Sequence, residues 1–287
     1  MSTILSNRVQ KVKPSATMAV SDKAKELKSQ GIQIISMGSG EPDFDTPTNI
    51  QKAAIHAIGA GETRYTPADG TAELKKAVCE KFKRENGLDY STNEVMVSCG
   101  GKQVFYNLCQ AILNEGDEVI IPSPYWVSYP DMAILADATP VFIDAGLDQD
   151  FKISPEQLEA SITSKSKLLV LNSPSNPTGS VYSRSEIEAL GVVLERHPNV
   201  FIISDDIYEH IRWGDDEFVN IAMACPKLKD RTVILNGVSK AYAMTGWRIG
   251  YAAGPGAVIK AMKKIQGQST SNPSSISQAA ALEAISG

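Results

Sequence analysis

Apolar residues recur along this chain in two alternating rhythms. After Thr71, Leu74, Ala77, Val78 and Phe82 stand three or four positions apart, which stacks them on one face of a helix, and Gly87 closes the run. Thr71 supplies the oxygen of an N-cap for it. Phe105, Leu108, Cys109 and Ile112 repeat the spacing after Gly101. Thr46-Pro47 predicts a threonine cap followed by proline at the first helical position, opening a helix to about Ile58. Ser154 with Gln157, and Ser183 with Glu186, have the spacing of capping boxes. Residues 277–287 read as a helix that stops unfinished.

The second rhythm is a set of short, unbroken apolar runs: Val95–Ser98, Val119–Ile121, Val141–Ile143, Leu168–Leu171, Val200–Ile203 and Val233–Leu235. Continuous rather than alternating hydrophobicity predicts strands covered on both faces. Their alternation with helices predicts an α/β fold with a doubly wound, mostly parallel sheet. Ligands of such sheets bind beyond the carboxyl ends of the strands, so the segments that follow the runs are where chemistry is expected.

Composition narrows this only a little. The 287 residues are 43% hydrophobic and 21% charged, which excludes disordered, collagen-like and disulfide-scaffold classes. A net charge of −5 without blocks of one sign argues against nucleic acid or an anionic membrane as partner. No apolar run approaches the roughly 20 residues of a spanning helix. The first residues lack the apolar stretch of a secretory signal, so a cytoplasmic location is expected. Cys79, Cys99, Cys109 and Cys225 are scattered and predict buried free thiols. His56, His197 and His210 have no zinc-binding spacing, and no metal is expected.

Four strand ends carry candidate chemistry. Cys99-Gly100-Gly101-Lys102 opens a helix, where paired glycines let backbone N–H groups meet an anion; a plain structural turn accounts for them as well. Asn172-Ser173-Pro174-Ser175-Asn176-Pro177 is a rigid turn that either presents its amides to a ligand or spends them on its own backbone. Asp205 either caps the segment after its strand or faces the positive nitrogen of a ligand. Lys240, followed by Arg248, is a lysine that desolvation would turn into a nucleophile. Gly237-x-Ser239-x-Ala241 lacks the last glycine of a nucleophile elbow, which disfavours a serine hydrolase. An anion cradle, an amide, a carboxylate with a nearby phenol, and a Lys/Arg pair together meet the needs of pyridoxal 5'-phosphate.

The segments SPSNPTG, SDDIYEH and SKAYAMTGWRIGY, with GEPDFDTP, GGKQ and PSPYWVSYP, resemble the pyridoxal-phosphate aminotransferases of fold type I. Within them the chain is similar to the bacterial class I aspartate aminotransferases, some of which also aminate prephenate. The resemblance implies a three-layer α/β large domain over residues 46–287, preceded by an N-terminal arm and small-domain portion over 1–45. It also implies that a C-terminal small domain, on the order of a hundred residues, is absent together with its arginine for the substrate α-carboxylate.

Carried over by motif, Lys240 would take the cofactor's aldehyde and later move the substrate proton. Asp205 would hold the pyridine nitrogen protonated, and Tyr208 with Asn176 would hydrogen-bond the ring hydroxyl. Trp126 would stack on the ring. Arg248 and the amides of Gly101 and Lys102 would bind the phosphate. Gly237 stands where some relatives place a phosphate-binding serine, leaving Ser239 as the substitute. Tyr65 would enter the phosphate site of a second subunit, so a homodimer with shared active sites is expected. Gly40 would meet the substrate carboxylate, Lys102 the distal carboxylate of aspartate, and Lys13 would bear on prephenate use; Trp126 and Asn176 would also touch substrate. The expected reaction moves the amino group of aspartate or glutamate to a 2-oxo acid such as 2-oxoglutarate, with prephenate a further acceptor. An aromatic or kynurenine donor, and a catalytically incomplete cofactor-binding fragment, are the alternatives.

Overall fold

Helix ends settle where the sequence offers a cap. The Thr71 side chain accepts the Leu74 amide, and Gly87 closes the same helix at a φ of 65°, a left-handed conformation that suits glycine. Ser154 with Gln157, and Ser183 with Glu186, form complete capping boxes. The computed structural model describes residues 4–14, 16–35, 38, 40–214 and 217–287, with the side chains of 16–18 outside the description. Ser15, in the segment that carries Lys13, therefore lies outside the described residues.

The order is α1 (Asn7–Lys11), α2 (Ala16–Ser29), α3 (Thr48–Gly59), α4 (Ala72–Asn86), β1 (Val95–Ser98), α5 (Gly101–Ile112) and β2 (Glu118–Ser123). Next come α6 (Ser128–Leu135), β3 (Thr139–Asp144), α7 (Pro155–Ser161), β4 (Ser166–Asn172), α8 (Arg184–Arg196) and β5 (Phe201–Asp205). The remainder is α9 (Ile221–Ala224), β6 (Thr232–Gly237), β7 (Gly250–Ala253), α10 (Gly256–Gly267) and α11 (Ser275–Ser286).

Among the described residues seven strands form one sheet in the order β1-β7-β6-β5-β4-β2-β3. β7 runs antiparallel to both of its neighbours, while β3, β2, β4, β5 and β6 are mutually parallel. Successive side chains of a strand point to opposite faces, which divides the core. Val233 and Leu235 pack with Phe105, Leu108 and Met262 against α5, α6 and α10. Ile234, on the other face, joins Leu74, Val78 and Phe82 of α4, with α3 and α11 over the same end of the sheet. Ile202, Leu169 and Ile120 meet α7, α8 and α9 over the rest of that face. The result is the expected three-layer α/β arrangement.

Several expectations need correction. Thr46 is not a helix cap: Pro47 holds that position, and Thr46 Oγ1 donates to the Ala243 carbonyl at 2.7 Å while accepting from Trp247 Nε1 at 2.9 Å. A hydroxyl beside a helix start is equally able to bond a distant carbonyl. β3 is not covered on both faces; it is an edge strand, and Phe142 is 46% exposed. All four cysteines are free, yet Cys79 and Cys99 are only partly buried. β7 has no counterpart among the apolar runs of the sequence.

Candidate active site

The carboxyl ends of β1, β4, β5 and β6 open into a cavity of about 690 Å³, in the range of small-molecule sites. Gly101, Lys102, Trp126, Asn176 and Asp205 line it, and so do Tyr208, Ser239, Lys240, Arg248 and Gly40. Tyr65 and Lys13 are not brought there. Tyr65 is 93% exposed, and Lys13 is exposed on the segment between α1 and α2.

The anion end is built by close backbone approach. α5 starts at Gly101, and the first amides of a helix have no acceptor within it. Gly100 precedes them at a φ of 87°, and a Cβ there would lie 2.3 Å from Arg248 Nη2. Only glycine lets the guanidinium rest against this turn. Arg248 is itself left-handed, at a φ of 56°, and donates to the Thr245 carbonyl at 2.9 Å. A Cβ on Gly237 would meet the Ile249 carbonyl at 2.9 Å and the Gly250 Cα at 3.0 Å. The backbone of β7 thus leaves no room at 237 for a serine, and Ser239 stands in the cavity instead.

Asp205 ends β5 inside the site. Its Oδ2 accepts the Tyr129 hydroxyl at 2.5 Å, and its Oδ1 accepts the Ile207 amide at 3.3 Å. Burial pushes its pKa up to about 6, against the downward pull of those two donors and of Lys240. The capping bond and the cavity-facing position coexist. Tyr129 carries no assignment from the sequence, although PSPYWVSYP contains it three positions after Trp126, about one helical turn. Its ring packs between Phe105 at 4.9 Å and Trp126 at 5.2 Å. Burial first, and Asp205 second, hold its phenol well above the usual range, so it remains a donor.

The two readings of the Asn172–Asn176 turn also coexist. Asn172 Oδ1 accepts the Asn176 amide at 2.7 Å, a bond within the turn, while Asn172 Nδ2 donates to the Asp205 carbonyl at 2.9 Å. That leaves the Asn176 side chain to hydrogen-bond Tyr208, whose phenol burial raises to about 12.

Lys240 follows β6, and its ammonium donates to the Gly40 carbonyl and lies 5.6 Å from the Tyr208 ring centroid. Desolvation and Arg248 lower its pKa, while Glu41 and Asp205 oppose them. Glu41 is a second residue without a sequence assignment: it accepts from Thr245 Oγ1 and ties the 40–46 segment to the loop bearing Lys240. Lys102 lies 5.1 Å from the Trp126 ring, its pKa lowered by desolvation and by Arg248. The cavity therefore holds an anion cradle at one end, a desolvated amine in the middle and a buried carboxylate in need of a cation. A flat ligand with an anionic group, a carbonyl and a basic ring nitrogen fits these groups.

Known proteins share this fold. The profile of aminotransferase class I and II matches residues 32–287. The chain is 60% identical over 283 residues to an aspartate/prephenate aminotransferase of Nitrosomonas europaea, covering 99% of this chain and 71% of that protein. A Cereibacter sphaeroides protein of the same description matches at 60% over 283 residues, with 99% and 71% covered. Among solved structures, an aspartate aminotransferase from Rhizobium meliloti superposes with a TM-score of 0.96 at 49% identity, covering 99% of this chain and 71% of that one. Another, from Thermus thermophilus with maleate, gives 0.95 at 47%, with 99% and 73% covered. The chain belongs to the class I and II aminotransferase family.

Proposed function

We propose that this chain is a pyridoxal-phosphate-dependent aminotransferase that moves the amino group of aspartate or glutamate to a 2-oxo acid, with prephenate among the acceptors. The observation that carries this reading is the convergence of Lys240, Asp205, Tyr208 and Arg248 with the α5 N-terminus on one cavity. When bound, the cofactor supplies an electrophilic carbonyl and a ring that accepts electron density. Arg248 and the free amides of α5 bind its phosphate, with Ser239 beside them. Asp205 would hold a proton on the ring nitrogen, which would give its buried carboxylate a cation to pair with. Tyr208 and Asn176 hydrogen-bond the ring hydroxyl, and Trp126 covers one face.

Lys240 is the base. Its lowered pKa increases the share of neutral amine, which would take the proton from the substrate Cα and pass it to the cofactor carbon C4′. Gly40 meets the substrate carboxylate through its backbone, and Lys102 favours an acid with a second carboxylate. The names of the Nitrosomonas and Cereibacter relatives support aspartate and prephenate, and the maleate in the Thermus structure, a four-carbon dicarboxylate, supports an aspartate-shaped site.

Residues 46–287 form the cofactor domain in this reading, with 1–45 as the N-terminal arm and a portion of the small domain. Tyr65, at 93% exposed and outside its own cavity, would complete the phosphate site of a second copy in a homodimer. A cytoplasmic location belongs to the same reading; among the described residues no helix is long and apolar enough to cross a membrane. Adding pyridoxal phosphate should give a coloured protein that bleaches with aspartate. Borohydride added before aspartate should fix the cofactor's mass on the peptide containing Lys240, and a label on any other lysine would refute the assignment.

A further inference from the structure

We propose that Lys81, on α4, is a positioning residue for the site: its buried ion pair with Glu209, shared with Asn236, fixes the turn that carries Tyr208 against the strand that leads to Lys240. Neither Lys81 nor Glu209 nor Asn236 lines the cavity. The inference rests on the function proposed above for what the site holds, though not for the geometry of the network.

Lys81 Nζ donates to Glu209 Oε1 and, at 2.9 Å, to Asn86 Oδ1, and it lies 3.4 Å from Glu85 Oε2. Glu209 Oε1 also accepts Asn236 Nδ2 at 2.8 Å, and Glu209 Oε2 accepts Asn86 Nδ2 at 3.0 Å. Asn236 Oδ1 accepts the Gly237 amide at 2.7 Å, which pins the end of β6 just before Ser239 and Lys240. His210 Nε2 closes the outer side at 3.3 Å from Glu209 Oε1 and 3.2 Å from Glu85 Oε2. One carboxylate thus gathers donors from α4, from the turn after β5 and from the end of β6. The last two are the elements that present Tyr208 and Lys240.

Burying both members of an ion pair is expensive, and an apolar pair of similar size commonly gives a more stable protein. Lys81 and Glu209 are almost fully buried, and the Lys81 ammonium lies 5.0 Å from the Phe82 ring centroid. What the charges add over an apolar pair is direction, since each bond has one length and one angle. The donor atoms of Glu85, Glu209 and His210 also lie within 4.8 Å of one another, a spacing that would suit a metal ion. The Lys81 ammonium already stands among them, so the cation of this cluster belongs to the chain itself.

The test compares the full chain with Lys81→Met, Lys81→Arg and the double variant Lys81→Met/Glu209→Met. Two readouts are taken. Competitive acetylation of Lys240 in cofactor-free protein, followed by mass spectrometry, gives its titration midpoint. Absorbance titration gives the dissociation constant for pyridoxal phosphate. With the turn released, water reaches Lys240, and its midpoint should rise by about half a pH unit or more toward the ordinary lysine value. Cofactor affinity should fall about tenfold in Lys81→Met, with partial recovery in Lys81→Arg.

The double variant removes the buried charges together, leaves the Asn86 and Asn236 amides without their acceptor, and should still show both defects. A double variant with wild-type affinity and Lys240 midpoint overturns the proposal, as does a Lys81→Met protein that matches wild type in both readouts. Should Lys81→Met fail to fold, the double variant alone decides. Failure of wild-type protein to bind pyridoxal phosphate would refute the proposed function, while the acetylation readout would still judge Lys81.

Discussion

Asp205 and Glu209 are buried carboxylates on one stretch of chain, and their surroundings treat them in opposite ways. Glu209 would also be pushed up by burial, but His210, Lys81 and Asn86 bring it down to about 2. Asp205 has a phenol and one amide, with Lys240 acting only at a distance, and stays near 6. The closed cluster supplies its own cation. The open one leaves that place for a ligand. A buried acid whose partners are all neutral donors, beside a cavity, is thus an indicator of a cationic ligand, whereas a buried acid with its own lysine marks architecture.

Exchanging each acid for its amide should separate the two. Asp205→Asn should lower turnover by at least ~10²-fold, because the ring nitrogen loses its counter-charge. The cofactor-free chain should become more stable at pH 8, by up to ~3 kcal/mol for a shift of roughly two pKa units. The sign follows from a folded pKa raised above the ordinary 3.8: the contribution of Asp205 is intact below that value and lost as pH rises through about 6. Glu209→Gln should do the reverse and cost ~3 kcal/mol at pH 7. Its wild-type contribution is full above 4.5 and lost as pH falls toward about 2. Urea unfolding at both pH values measures each change, and a less stable cofactor-free Asp205→Asn chain would break the contrast.

Smaller changes sharpen it. Tyr129→Phe removes a donor from an ionised group, an effect of ~1.5–3 kcal/mol. It should raise the Asp205 pKa further, as read by carboxyl carbon NMR in the cofactor-free protein. Gly100→Ala drives a Cβ into Arg248 and should weaken phosphate-dependent cofactor binding about tenfold, with the Asp205 titration unchanged. His210 comes last. Glu209 and Glu85 raise its pKa to about 9, so its stabilising charge is fully present below 6.5 and lost as pH rises through 9. On a half-exposed side chain this amounts to less than ~1 kcal/mol, visible as a fall in melting temperature above pH 9 that His210→Gln should abolish.

The sequence made the strand ends legible because buried parallel strands are unbroken apolar runs and their ends are punctuated by Gly, Pro, Asn and Asp. Helix α4 was legible from its stripe and caps. Lys81 was not, although it falls on the same face as Leu74 and Val78, where a charged residue stands out. Its reason for being there is Glu209, 128 positions away. Tyr129 was hidden in the same way, since a phenol one turn from Trp126 gives no hint of a partner 76 positions off. β7 escaped because Gly250-Tyr251-Ala252-Ala253 is short and rich in small residues, and because one of its two antiparallel neighbours, β1, lies far back in the chain.

The position of β7 has a bearing on how the protein is made. It is the last of the described strands to be synthesised, and the sheet order gives β1 no other strand to pair with. A Cβ on Gly250 would lie 2.4 Å from the Gly101 amide nitrogen, so β7 also presses against the turn that forms the anion cradle. During translation β1 therefore finds its strand partner only once residues 250–253 have been made. Contacts between such distant parts of a chain form slowly, and the nascent protein would gain its phosphate site in the final step of sheet assembly.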